Sequence, residues 1–167
     1  PAEVNGGRTA TEELIKAGHR RIGLINGEPW MHATKARQEG YKKALDFHGI
    51  EFDSDLITYG NWRPDTGYNS TMSLMALPVP PTALFCGNDL MAVGAYQALA
   101  VLGKRIPQDV AVVGYDNQEQ IAVYLKPPLS TVALPHYQIG QWAVKHLLQL
   151  IESNNKIQAV QEKITCP

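Results

Sequence analysis

Ala83-Leu84-Phe85-Cys86, then Asp89 to Leu102, then Val110-Ala111-Val112-Val113 is the stretch that decides the fold. Two short apolar runs without strict polar alternation flank a segment of helical length that Gly103 closes. A strand covered by helices on both faces of a parallel sheet reads this way. Strand, helix and strand in that order predict a parallel βαβ unit.

The same alternation extends in both directions. Upstream, Thr9 with Glu12 three residues on forms a capping box, which predicts a helix through Leu14, Ile15 and Ala17 stopped by Gly18. Arg21 to Ile25 reads as a strand that breaks at Asn26-Gly27. Residues 34–47 have helical spacing, with Ala36, Tyr41, Ala44 and Leu45 on one face and Gly49 just beyond the end. Leu56 to Tyr59 predicts a short strand, and residues 65–77 a helix entered through Pro64-Asp65. Downstream come a short helix near 118–124, a strand near Thr131-Val132, a long helix from Tyr137 to Glu152, and a weak final strand at Gln161-Glu162-Lys163-Ile164. The expected fold class is therefore α/β, a three-layer αβα parallel sheet.

Length and composition agree with a single domain: 167 residues, 44% hydrophobic and 19% charged. Fifteen Lys+Arg against sixteen Asp+Glu give a net charge of −1, so no bulk basic field draws nucleic acid or an anionic membrane. No apolar run approaches the roughly 18–20 residues of a membrane span. Cys86 and Cys166 fit no metal or redox spacing, which leans toward a reducing cytoplasm. The start at Pro1, with no apolar leader, reads as a piece of a longer protein.

In open α/β sheets ligands bind beyond the carboxyl ends of the strands. The residues just past those ends are Asn26, Trp62, Asn88 and Asp116. Amides and a carboxylate exchange hydrogen bonds with hydroxyls, and an indole face packs on the C–H face of a sugar ring. Arg37 adds a forked donor from the helix after Asn26. Each also has an ordinary role: Asn88 as a helix cap, Asp116 in a turn, Arg37 as a solvated charge, Trp30 and Trp62 as partly buried aromatics. Their shared sheet edge favours binding. The chain has no Gly-x-Ser-x-Gly elbow, no Gly-x-Gly-x-x-Gly or Walker loop, and no metal spacing among His19, His32, His48, His136 and His146. Binding without catalysis, cofactor or metal is the expectation.

Ala17 to Gly23, Arg37-Gln38-Glu39-Gly40-Tyr41, Pro81 to Ala92, Ile106 to Val110, Val113 to Asn117 and Pro127 to Thr131 together resemble the LacI/GalR family of bacterial regulators, in order and over nearly the whole chain. The resemblance implies a periplasmic-binding-protein-like effector domain, of which this chain supplies one lobe plus crossover elements. It also implies a small sugar effector, favoured over a purine, contacted by Arg37, Trp62, Asn88 and Asp116. The Glu28–Thr34 loop with Trp30 shapes effector choice, and His136 lies at a crossover. The two tryptophans and Gly60-Asn61-Trp62 are similar to the sucrose-type repressors. Such regulators bind operator DNA through an N-terminal helix-turn-helix, which these 167 residues do not contain along with most of the first lobe, and they act in the cytoplasm.

The family also implies a homodimer. Leu90, Met91, Gly94, Ala95, Ala98 and Leu102 supply the sheet-covering stripe of their helix, which leaves Val93 and Tyr96 toward the edge with Tyr124 nearby. The alternative is a periplasmic sugar-binding protein of a transporter, which shares the fold. Asn88-Asp89-Leu90-Met91-Ala92 and Val113-Gly114-Tyr115-Asp116 have the repressor form. An enzyme of this fold comes third, without a nucleophile or metal to support it.

Overall fold

The computed structural model describes residues 2–153, 162 and 164–166. Five strands, β1 (Ile22–Asn26), β2 (Ile57–Tyr59), β3 (Ala83–Cys86), β4 (Ala111–Asp116) and β5 (Ser130–Ala133), form one sheet of order β2-β1-β3-β4-β5. All four pairings are parallel, with Leu24 opposite both Ile57 and Phe85, and Phe85 opposite Val113. The helices are α1 (Glu3–Lys16), α2 (His32–Phe47), α3 (Pro64–Met75), α4 (Asp89–Val101), the short α5 (Glu119–Ala122) and α6 (His136–Glu152).

Side chains alternate across each strand, so the double-sided apolar runs build two cores. Leu24, Phe85, Val113 and Tyr115 pack with Ala10, Leu14, Tyr41 and Leu45 of α1 and α2. Ile25, Leu84, Cys86 and Val112 pack with Leu74, Met91, Ala95 and Leu99 of α3 and α4. Full burial of each large apolar side chain contributes about 1.5–3 kcal/mol. The expected three layers are present.

Two elements differ from expectation. α1 begins at Glu3, so Thr9 lies inside the helix and does not cap it. Gly6 and Gly7 lie within α1; a Cβ on Gly7 would overlap the Arg37 backbone, and one on Gly40 the backbone of Val4 and Arg8. The glycines let α1 and α2 approach backbone to backbone, which offsets their helix cost of about 0.5–1 kcal/mol each. The second departure is α6, which contains no buried residue. Tyr137, Val144, Leu147, Leu148 and Ile151 are all more than half exposed along it, so it does not cover the sheet as the earlier helices do. Of the expected last strand, residues 161 and 163 lie outside the described residues; the Ile164 carbonyl accepts from the Ala2 amide at 2.8 Å.

The strand order also places the site. The chain leaves β1 outward to β2 and returns past β1 to β3, so successive connections diverge between β1 and β3. That divergence opens a crevice above the carboxyl ends of these two strands. Among the described residues, no helix is long and apolar enough to cross a membrane.

Candidate functional site

Arg37 stands at the carboxyl ends of β3 and β4. It lies in the second turn of α2 and is 5% exposed. A buried guanidinium persists only when its charge and donors are met. Nε donates to Glu3 Oε2 at 2.9 Å, one Nη donates to the Gly87 carbonyl after β3, and the other lies 3.8 Å from Asp116 Oδ1. The guanidinium lies 3.8 Å from the Tyr115 ring centroid and 5.3 Å from that of Trp62, so aromatic faces flank it.

Asp116 ends β4 with φ of 108°, a left-handed value unusual for a residue with a side chain. Gln118 Nε2 donates to its Oδ2 at 3.4 Å. Burial pushes its carboxyl up to about 6, assisted by the neighbouring charges of Asp89 and Glu3, while Arg37 and Gln118 pull the other way. The site therefore holds a carboxyl that changes charge close to neutrality.

Asn88 performs the capping role foreseen for it: its Oδ1 accepts the Met91 amide at 2.8 Å at the start of α4. Its Nδ2 donates to the Trp62 carbonyl at 3.1 Å, which ties β3 to the β2–α3 loop. Trp62 is half-buried with φ of 66°, and its Nε1 donates to Met31 Sδ at 3.0 Å. Asn26 is fully buried; its Nδ2 donates to the Thr34 carbonyl and its Oδ1 accepts from the Gly27 amide.

Arg37, Trp62, Asn88 and Asp116 thus meet at one end of the sheet. Trp30 is 74% exposed and His136 is exposed at the start of α6; among the described residues no hydrogen bond joins either to this group. On the flank, Val93 is half-buried and Tyr124 is 75% exposed. Tyr96 departs from its expected edge position: it is 9% exposed and belongs to the core cluster that includes Cys86 and Val112.

The comparisons with known proteins bear on this arrangement. The family model for the periplasmic binding protein-like domain matches residues 11–167. The ribose operon repressor of Haemophilus influenzae is 43% identical over 151 residues, covering 90% of this chain and 45% of that protein. The HTH-type transcriptional repressor PurR of Pasteurella multocida is 38% identical over 157 residues, covering 94% of this chain and 47% of that protein. The chain belongs to the LacI/GalR family. Among solved structures it is similar to the complex of the transcriptional regulator CelR with cellobiose, at 37% identity and a TM-score of 0.86 over 92% of this chain and 46% of that one. It is likewise similar to the Escherichia coli transcriptional repressor ascG, at 34% identity and a TM-score of 0.85 over 91% of this chain and 55% of that one. These relatives are transcriptional repressors and regulators, which disfavours both the transporter protein and the enzyme. The chain spans about half the length of the curated relatives it matches.

In this LacI-type chain, sequence reasoning missed two residues. Glu3 is 8% exposed and neutralises Arg37; its signal was the helical spacing Glu3, Gly7, Ala10, Leu14, hidden by the glycine pair. Asp89 is fully buried, accepts from Thr131 Oγ1 at 2.6 Å and the Gln118 amide at 2.7 Å, and so fastens β5 and the loop after Asp116 to α4. Burial holds its carboxyl above the ordinary range. Its place within Asn88-Asp89-Leu90-Met91-Ala92 was the available signal.

Proposed function

We propose that this chain is the effector-sensing part of a bacterial LacI-type transcription regulator, and that a small sugar binds above β1, β3 and β4. Arg37, Trp62, Asn88 and Asp116 form the site wall, with Trp30 and His136 at its rim. One observation carries the reading: a buried, pre-paired guanidinium stands beside a half-buried indole and a carboxyl at the topological switch point of the sheet. The carboxylate accepts from sugar hydroxyls, the guanidinium donates to them, and the indole face covers apolar C–H groups. Preorganised groups lose little entropy on binding. The likeness to a cellobiose complex and to a ribose operon repressor supports the same ligand class.

In the whole protein, a second lobe closes over the ligand, a helix-turn-helix outside these 167 residues holds operator DNA, and two copies associate through the flank carrying Val93, Tyr96 and Tyr124. This activity belongs to the cytoplasm. Calorimetric titration with ribose, sucrose and cellobiose tests the site. Arg37→Ala and Asp116→Asn each lower affinity roughly tenfold to a hundredfold, the equivalent of about 1.5–3 kcal/mol for a lost charged partner. Affinity unchanged in both variants overturns the assignment.

A further inference from the structure

We propose that Gly27 is a positioning residue that sets the pose of the site's aromatic platform, because the Trp62 indole fills the place of its missing side chain. The proposal rests on the reading of Trp62 as a sugar-facing surface. A Cβ built on Gly27 would overlap Cε2, Cζ2 and Cη2 of the indole, the side of its six-membered ring that runs out from the ring fusion next to Nε1.

Trp62 holds a backbone conformation that bulky residues avoid, with φ of 66°. Such strain costs about 1–3 kcal/mol and persists only where the surroundings over-determine it. Three restraints are polar or cationic: the Asn88 amide on the Trp62 carbonyl, Met31 Sδ on Nε1, and the Arg37 guanidinium 5.3 Å from the ring. The fourth is steric, the bare backbone of Gly27 against the ring edge. Gly27 itself has no room to yield. It is buried directly after β1, its amide donates to Asn26 Oδ1 at 3.0 Å, and Asn26 in turn holds the Thr34 carbonyl at the start of α2. The ring is the part that must move.

The backbone makes the position unusually clean to interrogate. Gly27 is not among the glycines with positive φ, which are Gly18, Gly49 and Gly103. Alanine is therefore acceptable to the local backbone, and the collision with the indole is what it adds. The three nearest atoms that the added methyl group would meet all belong to the Trp62 indole.

The test uses the 167-residue chain carrying Trp30→Phe and Trp142→Phe, in which Trp62 is the one remaining tryptophan. Gly27→Ala raises acrylamide quenching of Trp62, shifts its emission to the red, and lowers affinity for cellobiose, the probe used, by about tenfold. With Trp62→Phe in place, which removes the outer ring atoms, the same alanine leaves affinity unchanged. If Gly27→Ala alone fails to fold, folding restored by Trp62→Phe supports the proposal, and failure to restore it overturns it. Unchanged quenching, or an equal loss of affinity with and without the indole, also overturns it. Absence of cellobiose binding in the parent chain counts against the sugar reading, while quenching and folding still decide the role of Gly27.

Discussion

Asp116 presents its carboxyl to the crevice with Arg37 at 3.8 Å and burial as the dominant influence on its proton. Its folded value of about 6 lies above the ordinary 3.8 of an unfolded chain, so the native protein holds this proton more tightly. The resulting contribution to stability is fully present below about pH 4 and is lost as pH rises through 6. Asp116→Asn abolishes the dependence: urea unfolding is expected to show the variant gaining on the parent by about 1–2 kcal/mol between pH 4 and 7.5, after allowance for solvent screening. A gap independent of pH would assign the effect to another group. Ligand binding has the opposite slope, because hydroxyl donors need the ionised carboxylate; sugar affinity is expected to weaken as pH falls below 6. The strand-end rule marks Asn26, Trp62, Asn88 and Asp116 from sequence because it depends only on where apolar runs stop, and Arg37 enters from the helix that follows Asn26. The pairings of Glu3 with Arg37, Asp89 with Thr131 and Gly27 with Trp62 were not legible, because each joins positions far apart in the chain and local spacing does not name such partners.

At the scale of elements, strands were legible wherever both faces are buried. Ala83–Cys86 fell in place residue for residue, and β4 ran on to Asp116 because Tyr115 packs inward beneath Arg37. The capping-box spacing of Thr9 and Glu12 starts helix α1 too late; the helix runs from Glu3 through Gly6 and Gly7, where packing outweighs the low helix propensity of glycine. That conflict predicts opposite signs for one substitution at two glycines. Gly40→Ala meets the backbone of Val4 and Arg8, pushes α1 away and loosens the Glu3–Arg37 pair, at an expected cost of about 1–3 kcal/mol. Gly140→Ala on α6 meets nothing within 4 Å and gains about 0.5–1 kcal/mol of helix propensity. Paired urea unfolding curves check both. Equal effects would mean that propensity alone governs these sites and that the α1–α2 approach is not close enough to matter.

For the molecule as a whole, two apolar surfaces stand out among the described residues. One is α6, with Val144, Leu147, Leu148 and Ile151 exposed and no residue buried; the other is the flank of Val93, Val123 and Tyr124. Monomeric proteins rarely expose large contiguous apolar patches, so each surface calls for a covering partner. The two make different demands. On α6 the exposed apolar residues offer one face to a second body. Association through the flank, as proposed above, would bring α4 and α5 of each copy against their equivalents across a two-fold axis. Tyr96 is buried in the core and so presents little surface to such a contact. Sedimentation separates these assignments. Val144→Glu with Leu148→Glu is expected to remove association through α6 and leave a reversible monomer–dimer equilibrium. Adding Val93→Asp is expected to shift that equilibrium to monomer, since an unpaired charge in a buried patch costs more than so small an interface supplies. A dimer that survives Val93→Asp but dissolves with the α6 substitutions would move the contact between copies from the flank to α6.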